Sequence, residues 1–252
     1  MDTATIPNPS GPIVPWDHVI NRINALRRSL LWVVAALLLG TASGWSVADQ
    51  VFNFLAAPLT TALANAARDP RLAFTNLSDP FIIYFSVSML LGLLLALPVI
   101  MSLFWRVVAP LDLGRGAAKA AVFAFASSVL FLVGLAFGYW VLLPFVVRYL
   151  LRVAEEFRYA VTIREYLRFA LRMLIAMGIS AQLPLMSFVL ARFGLVTARR
   201  LLRWLPYAVL AAFVLAAVIT PPDGISQLLV AIPMLVLYLL SIVVAALATP
   251  RN

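Results

Sequence analysis

The chain has 252 residues, 64% hydrophobic and 12% charged, with a mean hydropathy of +1.02. No soluble domain of that size has enough interior to hide so much apolar surface, so the chain reads as an integral membrane protein. With no cysteine and a single histidine, His18, it offers no disulfide, thiol nucleophile or histidine-built metal centre, and neither metal nor cofactor is expected. The net charge of +9 comes from arginines and one lysine at the ends of apolar runs, the placement of membrane anchors and not of a nucleic-acid interface.

Residues 1–16 carry Pro7, Pro9, Pro12 and Pro15 with serine and glycine between them, the composition of a disordered tail. Over 17–29 the apolar positions Val19, Ile20, Ile23 and Leu26 share one helical face, which predicts an amphipathic interfacial helix running into the first span. Arg27-Arg28-Ser29-Leu30-Leu31 has the look of an export signal, but five further apolar segments argue that it is retained. The predicted spans are about 30–47, 81–103, 120–147, 173–192, 205–219 and 228–247, so residues 17–249 form one all-α membrane domain of six transmembrane helices.

Between the spans, 49–80 reads as an ordered extramembrane loop with an amphipathic stretch at 51–63. Gly134 and Gly138 make a small-residue surface for close helix approach. Glu165, Arg168 and Arg172 share one face of a solvated approach to span four, and Gln182 and Pro184 lie in the middle of that span. The fifth apolar run, 206–219, has fourteen residues, about 21 Å if helical, against a hydrocarbon core of about 30 Å. It is followed by the polar stretch Thr220-Pro221-Pro222-Asp223-Gly224-Ile225-Ser226-Gln227, whose Asp223 is the only charge between Arg203 and Arg251. Such a stretch sits at a polar surface or lines a wet cavity.

An even number of spans puts both termini on one side. The short segments 106–119 and 199–203 hold three basic residues each and 220–227 holds none, which places the termini in the cytoplasm and Thr220 to Gln227 outside.

Taken together, these features resemble the TatC family, the polytopic core of the twin-arginine protein translocase. The residues that carry the resemblance are Leu26-Arg27, Ala57-Pro58-Leu59, Asp79-Pro80-Phe81, Pro98 with Trp105 and Val108-Ala109-Pro110-Leu111, and Gly134 to Phe137 with Tyr139 and Pro144. They continue with Gly178, Leu183-Pro184, Arg203 with Pro206-Tyr207, and most specifically Thr220-Pro221-Pro222-Asp223 with Ser226-Gln227 and Ala231-Ile232-Pro233.

The resemblance implies a cup-shaped bundle whose last two helices are short. It also implies a receptor, not an enzyme, in the cytoplasmic (inner) membrane, which recognises the paired arginines of export signals. Such a receptor works with single-span TatA/TatB-type partners in homo- or hetero-oligomers, and folded proteins cross at the expense of the proton-motive force. By the same resemblance, Leu26, Arg27, Pro110, Asp112 and Arg115 mark the signal-peptide region. Gln182 and Pro184 mark the docking of a partner helix, and Pro58, Pro221, Pro222, Asp223 and Gln227 form a structural motif on the outer face.

The chain departs from the family at its acids. An arginine pair is best held by bidentate carboxylates, yet Ala25 and Gly116 stand where the family carries them, Gln182 replaces a glutamate, Leu239 replaces another acid, and Val107 replaces an aromatic. Asp17 and Asp112 are the acids left near the signal region. A translocase core with a rewired signal site is the leading expectation. The alternatives are a membrane scaffold that keeps the fold without signal binding, and a small-solute transporter with Gln182 and Asp223 on its path.

Overall fold

The computed structural model describes residues 16–65, 76–108, 117–154, 162–220 and 223–248, with side chains from Arg27 onward except at 65, 107–108, 117–120 and 154. Residues 1–15 of the expected tail, and Pro110, Asp112, Arg115, Gly116, Pro221 and Pro222, lie outside the described residues. The described elements are α1 (Trp16–Trp45), α2 (Ala48–Asn65), α3 (Asp79–Val108), α4 (Ala117–Phe137), a π-turn (Gly138–Leu142), α5 (Leu143–Ala154), α6 (Ile163–Ser180), α7 (Leu183–Arg192), α8 (Ala198–Arg203), α9 (Leu205–Ile219) and α10 (Gly224–Ala248).

Five stretches are long and apolar enough to cross a membrane: Arg27–Trp45, Asp79–Arg106, Ala121–Val153, Ile163–Arg192 and Gly224–Ala248. The sixth, α9, has 15 residues, about 22 Å, well short of the core of about 30 Å. Of the last two helices α9 is the short one, and α10 runs for 25 residues.

Prolines divide these paths where their missing N–H leaves a carbonyl unpaired. Pro144 cannot donate to the Trp140 carbonyl, and the wider π-turn directly before it takes up the misfit, with the Leu143 N–H donating to the Gly138 carbonyl. Pro184, in the first turn of α7, cannot donate to Ser180, and the chain breaks there. The Ala181 N–H ends α6 on the Met177 carbonyl at 2.9 Å, and the Met186 N–H opens α7 on the Gln182 carbonyl at 2.9 Å.

Two helix positions differ informatively from the sequence expectation. The charged stretch before residue 173 belongs to α6 itself, because Ile163, Tyr166, Leu167, Ala170 and Met173 bury one face while Glu165, Arg168 and Arg172 occupy the other. The amphipathic stretch at 51–63 lies within α2, whose Leu55, Ala56 and Leu59 are buried in the main core.

Successive spans alternate in direction, so the start of α1, α8 and the end of α10 share one end of the bundle. The starts of α3, α6 and α10 share the other end with α2. The main core lies towards that second end, where α2, α5, α6, α9 and α10 bring together Leu59, Val146, Ile163, Leu174, Ala216 and Val230. In contrast α1 is peripheral, with 11% of its spanning window buried. It lies on α3 at backbone contact distance: a Cβ on Gly92 would stand 2.3 Å from Thr41 Oγ1 and 2.8 Å from its nitrogen. Between α4 and α6 a Cβ on Gly134 would fall 2.6 Å from both the Ala181 Cβ and the Met177 carbonyl oxygen, so only glycine permits that approach.

Candidate functional site: a mid-span polar relay and the two ends of the bundle

Three spans are joined by side-chain hydrogen bonds at the break between α6 and α7. The Trp105 indole N–H on α3 donates to the Ser127 hydroxyl on α4 at 2.6 Å, with both side chains buried. The Ser127 carbonyl in turn accepts from the Gln182 amide Nε2 at 3.0 Å. Hydrocarbon offers no competing partner for these groups, so their satisfaction within the protein fixes the spacing of the three helices. Gln182 is half-buried, and its amide oxygen engages no group among the described residues. Together with buried Pro184, it presents one acceptor part-way along a span, which suits a hydrogen-bond donor on an added helix. Leu239, on a neighbouring helix, is 46% exposed and offers only apolar surface.

At the end carrying α2, Pro58 leaves the Phe54 carbonyl without its helical donor. The Tyr139 hydroxyl fills the vacancy at 2.6 Å, and the Tyr139 ring stacks on Phe54 at a centroid distance of 4.3 Å. Tyr166 donates beside it to the Leu55 carbonyl at 2.8 Å, so two hydroxyls pin α2 across the core. Asp79, fully buried at the start of α3, pairs with Arg164 Nη1 at 3.1 Å and accepts from the Asn76 N–H at 2.9 Å.

The turn between α9 and α10 is held by its own polar side chains. Asp223 caps α10, with Oδ1 accepting from the Ser226 N–H at 2.7 Å and Oδ2 accepting from the Ser226 hydroxyl. The Thr220 hydroxyl returns to the Ala216 carbonyl at 2.9 Å, and the Gln227 amide reaches across to the Phe213 carbonyl at 2.9 Å. Asp223 and Gln227 thus close a hairpin.

At the opposite end Arg27 is exposed and Leu26 lies within α1. Their expected companions Pro110, Asp112 and Arg115 lie outside the described residues. The Tyr238 hydroxyl at this end donates to the Leu201 carbonyl at 2.7 Å, tying α8 to α10. Among the described residues no three histidine, aspartate or glutamate side chains cluster as metal ligands.

Ser127, Tyr166 and Arg164 are not among the residues marked by the sequence, and Asp79 is marked there without its partner. The available signals are Pro58 within an amphipathic helix, which frees the carbonyl four residues before it, and Asp79 before Pro80, a pattern of helix starts. Neither signal names the distant partner.

The family model described as Sec-independent protein translocase protein (TatC) matches residues 21–233. The chain is similar to the protein of that name from Koribacter versatilis, with 33% identity over 92% of this chain and 86% of the relative. It is likewise similar to the one from Desulforapulum autotrophicum, with 34% identity over 88% of this chain and 81% of the relative. Among solved structures, a crystal structure of the twin arginine translocase receptor TatC superposes with a TM-score of 0.81 and 30% identity, covering 90% of this chain and 99% of the other.

Proposed function

Because this chain belongs to the TatC family of Sec-independent protein translocase proteins, we propose that it is the polytopic receptor subunit that exports folded proteins bearing twin-arginine signals. It is a translocase subunit in the membrane and not an enzyme. The observation that carries the reading is the collinear match over 21–233, joined to near-complete coverage of the receptor's crystal structure. That match sets the small-solute transporter aside.

In the proposed arrangement both termini face the cytoplasm and the hairpin of α9 and α10 faces outward. Support comes from the three basic residues in each of the short segments 106–119 and 199–203. Signal peptides meet the end that carries Leu26 and Arg27, with Pro110, Asp112 and Arg115 completing the site. Single-span TatA/TatB-type partners dock beside Gln182 and Pro184, where the free amide oxygen gives a membrane-embedded donor a partner. The assembled complex is a homo- or hetero-oligomer driven by the proton-motive force, and the 15-residue α9 draws the membrane surfaces together beside the hairpin.

A second reading, a TatC-fold scaffold without signal binding, is favoured by one observation: Ala25, Gly116, Gln182 and Leu239 stand where the family carries acids. Complementation separates the two. In a strain lacking its own TatC, export of a folded reporter with a twin-arginine signal supports the receptor. Normal membrane insertion without export supports the scaffold.

A further inference from the structure

We propose that Arg168 and Arg172, exposed on α6, seat the anionic headgroup of a phosphatidylglycerol-class lipid in the leaflet at the end of the bundle opposite the start of α1.

The depth of the pair is set by the sequence below it. Residues 173–191 carry no charge, and this nineteen-residue path, helical except at the two-residue break at 181–182, spans about 28 Å at a helical rise, close to the hydrocarbon thickness. Arg172 therefore stands at the headgroup level, and Arg168 stands one turn further out on the same face. Both side chains are exposed, and neither pairs with a described carboxylate, Glu165 included; the nearby Arg164 is already committed to Asp79.

Two guanidinium groups one turn apart suit a phosphodiester, which each can bind through two parallel N–H donors. Beneath them the same face continues through half-exposed Ala176 to Ile179, which is 59% exposed. A cationic head above an apolar rail matches a phospholipid along its length. An acidic peptide would need the cations and not the rail.

The test uses the full chain in neutral detergent, with native mass spectrometry reading the retention of phosphatidylglycerol against phosphatidylcholine of the same acyl chains. The wild type should prefer phosphatidylglycerol. R168Q/R172Q should lose that preference by about 25-fold, about fivefold for each arginine, while R168K/R172K, which keeps the charges without the paired donors, retains part of it. The single variants R168Q and R172Q, each about fivefold, carry the test if the double variant does not fold. An unchanged preference in the folded glutamine variants overturns the proposal. So does displacement of the lipid by an equal concentration of soluble glycerophosphate, which has no acyl chain to use the rail. Arginine-dependent capture of an acidic single-span peptide, with no preference for phosphatidylglycerol, also overturns it.

Discussion

The Tyr139 hydroxyl stands 2.6 Å from the Phe54 carbonyl, four residues before Pro58, so one side chain from the π-turn replaces the donor that proline removes from α2. The same Tyr139 ring stacks on Phe54, and Tyr166 holds the adjacent carbonyl of Leu55. An amphipathic helix with a proline at its middle would otherwise present two weakly satisfied carbonyls against the core. Here they become the points by which α2 is fastened to two spans.

Tyr139→Phe should therefore destabilise the protein by about 1 kcal/mol, the net contribution of one part-buried hydrogen bond. In a Pro58→Ala background the backbone N–H restored at position 58 can take over the Phe54 carbonyl, and the same tyrosine substitution should then cost little. A double-mutant cycle, read by unfolding in mixed micelles, should give a coupling of about 1 kcal/mol. Additive effects would show that Pro58 and Tyr139 do not share this carbonyl.

Arg164→Ala should be the more damaging half of the pair formed with Asp79. The Asp79 carboxylate is fully buried whereas the Arg164 side chain is 31% exposed, so removing the cation takes a charged partner from a dehydrated carboxylate. Breaking a buried pair from one side costs about 3–5 kcal/mol, and the partial exposure of Arg164 and the remaining Asn76 N–H bond place this loss at or below the lower end. Asp79→Asn with Arg164→Gln, which removes both charges, should recover much of that loss. Equal thermal unfolding temperatures for the single and double variants would contradict this account.

What the sequence makes legible follows from the range of each signal. The shortness of α9 can be read directly, because Pro206 and Thr220-Pro221 bound an uninterrupted apolar run. The six-span, all-helical class follows from hydropathy in the same way. The true start of α6 is less visible: Arg164, Glu165, Arg168 and Arg172 look like solvated approach residues until the buried face of Ile163, Tyr166 and Ala170 is seen. Partners distant in sequence leave no local trace, so Trp105 to Ser127, Tyr139 to Phe54 and Arg164 to Asp79 emerge only from packing. Of the expected signal region only Leu26 and Arg27 are described, since Pro110, Asp112 and Arg115 lie outside the described residues.

Gly134→Ala should separate α4 from α6, because the added Cβ meets both the Ala181 Cβ and the Met177 carbonyl oxygen at 2.6 Å. Overpacking of this kind costs about 1–3 kcal/mol. Ala181→Gly should restore only part of the loss, since the Met177 backbone remains in the way. Stability of the single and double variants in the same micelles checks the order, and full rescue would place the clash at Ala181 alone.

Gln182 carries the prediction that bears most directly on assembly. Its Nε2 is spent on the Ser127 carbonyl at 3.0 Å and its amide oxygen is free, so the residue both ties two spans and offers an acceptor. Gln182→Leu removes both and should lose about 1 kcal/mol of stability, together with photo-crosslinking from neighbouring Leu183, 37% exposed, to a single-span partner. An ionised Gln182→Glu cannot donate to Ser127 and is repelled by its carbonyl. It should lose the same tie, turn its carboxylate towards the partner and raise crosslinking above wild type. Stability and docking then move in opposite directions for glutamate and together for leucine. If leucine weakens stability while crosslinking stays at the wild-type level, Gln182 serves only to hold α4 against the break between α6 and α7.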